Sequence, residues 1–162
     1  YDGPYFVATY MKRLPAVTFL PNVDKDVMAS LVPRDYVIAA MDALSVLDKS
    51  EGKTYQLTDP NPPSAREVAE IFGHHLHRKL VWLPIPVSAV RGLLDTVPGM
   101  ELLTGLPAET LDYFAFPTTY GTADTVADLE GTGVSCPHFR DYADKLLDFM
   151  AAHPEFDSQA MV

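Results

Sequence analysis

Cysteine, clustered positive charge and long apolar runs are all scarce in this sequence, and each scarcity excludes something. The one cysteine, Cys136, rules out an internal disulfide. With no charged-then-apolar leader at the start of the chain, a reducing cytoplasm is the expected compartment. Twelve Lys and Arg face 22 Asp and Glu, a formal net charge of −10 with no basic cluster, so a nucleic-acid backbone would be repelled. The apolar stretch Leu80 to Val90 is broken by Pro84 and Pro86. It reaches about half of the ~20 residues that a membrane-spanning helix needs.

Glycine motifs are missing as well. Gly131-Thr132-Gly133 is the one Gly-x-Gly, and no third glycine follows at the offset that a pyrophosphate-cradling turn requires. It reads as a helix stop. No serine sits in a Gly-x-Ser-x-Gly elbow, which removes the hydrolase nucleophile. Cys136 reads as a small buried hydrophobe rather than a nucleophile with His138 as its base, since such pairs are brought together by the fold and not by neighbouring positions. His74, His75 and His77 are the metal candidates, but on a helix only His74 and His77 share a face, and no acidic residue completes a chelate on the next turn. Beside Arg78 and Lys79 they suit the negative end of a helix dipole.

What is present is an ordinary globular composition: 162 residues, 48% hydrophobic, without repeats, enough for one compact unit. The chain opens on Tyr1-Asp2-Gly3-Pro4, which predicts a piece of a longer polypeptide. Val7, Met11 and Leu14, with Phe6 and Tyr10, repeat at helical spacing after Pro4, with Asp2 as a possible cap. Ala16 to Leu20 predicts a strand. A helix follows through Val37, Ala40, Met41, Leu44 and Leu47, stopped by Gly52. Lys53 to Thr58 alternates, with Tyr55 and Leu57 on one side, and predicts a strand. Ser64-Ala65-Arg66-Glu67 has the form of a capping box and opens a helix whose buried face is Val68, Ile71, Phe72 and Leu76.

Leu80 to Leu83 predicts another strand, and Val87, Val90, Leu94 and Val97 another helix, followed by Leu-rich segments at Leu102-Leu103 and Leu111 to Phe114. Asp124 is expected to cap a short helix ending at Gly131. Pro137 is expected to open a last one with Phe139, Tyr142, Leu146 and Phe149 or Met150 inward. Residues 155 to 162 carry no periodicity and are expected to fray. The fold class is therefore mixed α/β, helices with short strands between them. The aromatic residues Tyr5, Phe6, Tyr10, Trp82, Tyr113, Phe114 and Phe116 would suit an apolar pocket, and their spacing suits plain core equally.

The order Asp2-Gly3-Pro4-Tyr5, a strand to Pro21, Leu31-Val32-Pro33-Arg34-Asp35-Tyr36-Val37, Gly52-Lys53-Thr54-Tyr55-Gln56-Leu57-Thr58-Asp59-Pro60 and a capped helix resembles the C-terminal part of extended short-chain dehydrogenase/reductases. That superfamily includes nucleotide-sugar epimerases and thioester reductase-like proteins. The resemblance implies that residues 1 to 154 are the substrate-binding lobe of a Rossmann-type protein whose nucleotide-binding half is not in this chain. NAD or NADP would serve the full-length parent, and none is expected to bind this chain alone.

The family's Tyr-x-x-x-Lys pair is absent, since none of the eight tyrosines has lysine four residues later. No catalytic residue is therefore assigned. The expected substrate-side residues are Tyr5, Arg34, Asp35 and Trp82, with Asp35 capping its helix and Arg34 either reaching a substrate anion or standing as a solvated charge. Lys53 to Thr58 would join the parallel sheet of the upstream half, which is the expected partner besides a small-molecule substrate. A homodimer through the strand left exposed is a further expectation. The implied activity is hydride transfer on a carbonyl or thioester, or sugar-nucleotide epimerisation. The alternative is a non-catalytic NAD(P)-sensing or interaction module of the same fold.

Overall fold

The computed structural model describes residues 4–24, 26–96 and 118–153. Helix α1, Pro4–Arg13, is followed by strand β1, Val17–Asn22, and helix α2, Arg34–Ser45. After a 3-10 turn at Asp48–Ser50 come α3, Ala65–His75, then β2, Lys79–Pro86, and α4, Val87–Thr96. Helices α5, Ala123–Leu129, and α6, Phe139–Ala152, complete the described residues. None of these helices is long and apolar enough to cross a membrane. The Leu-rich segments, Asp2, Val97 and the expected frayed tail lie outside the described residues.

Two hydrophobic clusters organise the described residues. The first joins α1, α3 and α6 through Ala8, Met11, Val68, Phe72, Phe139, Ala143, Leu147 and Met150. Phe72 and Phe139 are fully buried, with ring centroids 5.8 Å apart and tilted, a geometry that aromatic quadrupoles favour. The expected periodicities supply Val68 and Phe72 of α3 and Phe139 of α6. Further along α6, Ala143 and Leu147 are buried while the expected Tyr142 and Leu146 are only partly so, and at its end Met150 turns inward and Phe149 stays exposed.

The second cluster joins Tyr36, Ala40 and Leu44 of α2 to Leu129 of α5, with Val37, Leu47, Tyr55, Leu57, Val134 and Cys136 packed at its margin. Met41, expected on the buried face of α2, is 60% exposed. The helix buries a stripe with four-residue spacing at Tyr36, Ala40 and Leu44, and Met41 falls outside it.

β1 and β2 pair in parallel, Val17 with Lys79 through Leu20 with Trp82, with a register shift between Pro21 and Asn22. Between them the chain passes through α2 and α3, the long crossover that parallel pairing demands. α3 lies close on β2. A Cβ added at Gly73 would stand 3.0 Å from the Leu80 side chain, so the helix backbone itself makes the contact. The opposite sheet face carries Val17 and Phe19, 47% and 63% exposed, while Thr18 between them is buried and donates to Pro15 O at 2.8 Å.

Lys53 to Thr58 forms no strand. Tyr55 and Leu57 do turn inward as the alternation predicts, but no neighbouring strand pairs with the segment among the described residues. Strand geometry needs a ladder partner as well as a pattern. Three helix entries differ from expectation. α2 has Pro33 at its cap position, and Asp35 stands one residue inside the helix. Thr122 occupies the cap position of α5, with Asp124 in its first turn. α6 starts at Phe139, with His138 at the cap position, where its ring accepts from Arg140 N, and Pro137 stands two residues ahead of the helix.

Candidate functional site

The densest polar centre among the described residues lies where the segment 53–58 meets α5. Asp128, 7% exposed, accepts from Lys53 Nζ and from Tyr55 OH, both at 2.6 Å, and Lys49 Nζ stands 3.6 Å from its other oxygen. One turn earlier, buried Thr125 donates to Gln56 O at 2.9 Å. Side chains thus hold the segment where a ladder does not. The hydrogen bonds from Lys53 and then Tyr55 hold the Asp128 carboxyl below its usual range, and the hydrogen bond to Asp128 holds Lys53 above its own.

This centre brings a tyrosine and a lysine together, yet its chemistry runs against proton transfer. Burial, and then the bond to Asp128, push the Tyr55 hydroxyl up, away from neutral pH. A tyrosine acting as general acid/base needs the opposite shift. Asp128, Lys53 and Tyr55 are an anchor. Sequence reading missed it because the partners lie 75 and 73 residues apart. The available signal was Asp128 itself, one helical turn after Asp124 on the short helix.

The expected substrate-side residues occupy separate elements. Tyr5 lies on α1 and packs half-buried at the edge of the first cluster. Arg34 opens α2 and is exposed. Asp35 is exposed too, and its carboxylate accepts from Tyr36 N at 3.0 Å, a first-turn bond that leaves the cap position to Pro33. Trp82 lies on β2 against α3. Its indole N–H donates to Glu70 Oε1 at 3.1 Å, and that oxygen also accepts from Arg66 Nε at 3.0 Å. The Arg66 guanidinium sits 4.6 Å from the centroid of the Trp82 ring, a cation–π contact. Trp82 is therefore the one expected residue with a built polar surround, and Arg66 and Glu70 are its unforeseen partners.

The histidines take structural places. His75 lies against α6, with Nδ1 3.1 Å from Asp144 and Nε2 3.4 Å from Asp148. His77 has a φ of 54° and turns the chain out of α3. No group of metal-ligating side chains occurs among the described residues. Burial pushes the Cys136 thiol up to about 11, with the charge of Asp59 adding to it, so the thiolate needed for nucleophilic work is scarce at neutral pH. The capping box is half formed. Ser64 Oγ accepts from Glu67 N at 3.1 Å, while the Glu67 carboxylate turns to Arg140 of α6.

No family model and no curated protein matches the chain. Among solved structures it is similar to the terminal R domain from the myxalamid PKS-NRPS biosynthetic pathway, with a TM-score of 0.64 and 22% identity. The match covers 97% of this chain and 39% of the R-domain chain. Nearly every residue thus participates in the likeness, and the chain spans well under half the length of the protein it matches. At this identity the likeness is one of fold: a mixed α/β arrangement of helices around a two-stranded parallel sheet, like a fragment of an R domain.

Proposed function

We propose that this chain forms the substrate-side lobe of an NAD(P)-dependent short-chain reductase acting on a carbonyl or thioester group. In this reading the glycine-rich cofactor turn and the catalytic tyrosine and lysine belong to an upstream half of a longer polypeptide. The observation that carries it is the R-domain likeness, which takes in almost all of this chain and 39% of the other. The order of sequence motifs that resembles extended short-chain reductases, thioester reductase-like members among them, supports the same reading.

Two local features support it further. The alternating segment 53–58 has inward Tyr55 and Leu57 but no ladder partner among the described residues, as an outer strand separated from its sheet would. On α2, Ile38 and Met41 are 53% and 60% exposed, an apolar surface that a second layer would cover. Within such a lobe, the Trp82–Arg66 stack and the exposed Arg34 contribute shape and positive charge to the substrate side of the cleft, and the lobe excludes water from it.

The test is a nicotinamide absorbance assay on the longer polypeptide, offering an acyl thioester, a simple ketone and a nucleotide sugar in turn with NADPH or NADH. Thioester- or ketone-dependent loss of reduced nicotinamide is the expected result. This chain alone, titrated with NADPH while the fluorescence of its single tryptophan is followed, is expected to show no saturable response. Saturable binding by this chain, or a longer polypeptide that binds no nicotinamide, overturns the reading. The alternative, a non-catalytic sensing or docking module of the same fold, is favoured by the exposed Phe19 face of the sheet. It predicts cofactor binding by the longer polypeptide without turnover, or dimerisation of this chain through β1.

A further inference from the structure

The sequence contains no run of basic residues, but the fold assembles a basic corner. No Asp or Glu occurs between residues 3 and 23 or between 71 and 94, the two stretches that carry β1 and β2, in a chain of net charge −10. Lys12 and Arg13 end α1, while Arg78 precedes β2 and Lys79 opens it. Three contacts close the corner. The Arg78 guanidinium donates to Lys12 O at 3.0 Å, Lys79 N donates to Ala16 O at 2.7 Å, and Lys79 is the register partner of Val17. Four of the chain's twelve Lys and Arg thus meet in one place, with Lys12, Arg13 and Lys79 exposed. Among the described residues none of the four has a carboxylate within ion-pair distance, whereas Lys49 and Lys53 hold Asp128, Arg66 holds Glu70 and Arg140 holds Glu67. The end of α1 accounts for part of this, since a helix dipole favours cations there and Arg78 satisfies one terminal carbonyl. It does not account for Lys79, which lies on the sheet.

Apolar side chains adjoin these cations. Leu80 and Trp82 face α3, so strand alternation turns Lys79 and Val81 to the opposite side of the sheet, where their register partners are Val17 and Phe19. Phe19 is 63% exposed and Val17 47%. An exposed aromatic ring beside cations that nothing neutralises has the composition of a recognition surface: buried rings supply most of the energy at interfaces, and complementary charge supplies partner choice and encounter rate. We infer that Lys12, Arg13, Lys79, Val17 and Phe19 form a docking surface for a short acidic segment of another protein, with its carboxylates on the cations and its apolar side chains on Phe19 and Val17. The distribution of charge selects a narrow segment over a broad anionic surface. Outside the corner the chain holds all 22 Asp and Glu against eight Lys and Arg, so a bilayer or a nucleic-acid duplex brought to the corner would also meet repelling carboxylates. The inference stands apart from the proposed reductase role, because it needs neither a cofactor nor an upstream half.

Fluorescence anisotropy of a labelled synthetic helix, with glutamates on one face and leucines on the other, tests this on the intact chain. Saturable binding that weakens as salt is raised is expected, and the same peptide with glutamine in place of glutamate is expected not to bind. Phe19→Ala should weaken binding about tenfold, Lys12→Gln combined with Arg13→Gln about fivefold, and Lys79→Gln about twofold. Lys145→Gln, which removes the same charge from the exposed side of α6, is expected to leave the affinity unchanged. All of these positions are exposed, so the variants should melt with the unaltered protein. No binding of the acidic peptide, equal binding of the neutral one, an equal loss in Lys145→Gln, or unchanged affinity in the Lys12, Arg13 and Lys79 variants overturns the inference. Tighter binding to phosphatidylserine vesicles or to a duplex oligonucleotide than to the acidic peptide overturns it as well, by making the partner one of another class.

Discussion

The cluster around Phe72 and Phe139 and the cluster around Tyr36 and Leu44 are held by different physics. In the first, three helices close over fully buried rings, and the charged contacts, Arg140 with Glu67 and His75 with Asp144 and Asp148, lie at its rim. In the second, two helices share a smaller apolar contact, and the segment 53–58 is fastened to it by the ion pairs and hydrogen bonds of Asp128. Burial of apolar surface is indifferent to pH, whereas a carboxylate holding a lysine and a tyrosine is not. The same chain therefore contains a region built to stand alone and a region whose order depends on charge.

Truncating the first cluster is the harshest way to probe this contrast. Phe72→Ala is expected to cost about 3–5 kcal/mol, read from urea unfolding, because a fully buried ring leaves a cavity that three packed helices cannot collapse into. A loss no larger than that of an exposed substitution would erase the distinction between the clusters.

Asp128→Asn is expected to come next and to act on the second cluster, reducing thermal stability and loosening residues 49–58 in hydrogen exchange. Its signature is in the pH profile. The Asp128 carboxyl is held below its ordinary value of 3.8, so its stabilisation is complete above that value and is lost as pH falls through the lower folded value. Lys53 is held above its ordinary 10.5, so its share is complete below that value and is lost as pH rises through the higher folded one. Thermal melts across pH should show both losses in the unaltered protein and neither contribution in the variant. Identical acid limbs in the two proteins would remove Asp128 from its role.

The smallest effect sharpens the boundary between the clusters. Ser64→Ala is expected to cost about 1 kcal/mol through the lost bond to Glu67 N, with the change confined to the first turn of α3. Amide exchange at Glu67 is the measurement. Protection retained there would mean that Arg140 and the bridge from Met28 to Ser64 fix the turn without the cap.

The contrast also explains what the sequence disclosed. Helical periodicity at Met11, Val68, Phe72, Phe139 and Met150 is a local property, and that much of the first cluster was legible from it. Ala8, Ala143 and Leu147 were not, and Leu146 is only partly buried where it was expected inward. The capped start of α3 and both strands were legible as well. The second region was harder, because its determinants are relations between distant positions. Lys53 to Thr58 carries a strand's alternation, yet whether it becomes a strand depends on a neighbour that its own residues do not specify. Lys53 and Tyr55 find Asp128 across more than 70 residues. Among the residues expected on the substrate side, Trp82 was singled out without its partners Arg66 and Glu70, since a helix and a strand joined by a turn bring them together only once α3 has docked on β2. Asp35 was read as a cap because its type suits one; the backbone places Pro33 there instead.

The parallel pairing of β1 with β2 has a consequence for how the molecule reaches its fold. Val17 cannot meet Lys79 until α2, the loop beyond it and α3 have all been synthesised. Contacts of such long sequence separation form slowly, because the entropy of closing the intervening loop is lost before the pairing returns any energy. During that interval β1 leaves the ribosome as an unpaired apolar strand carrying Val17 and Phe19. Folding of this chain is therefore most exposed to aggregation between the synthesis of β1 and that of β2, and chaperone demand should fall once Leu83 has emerged.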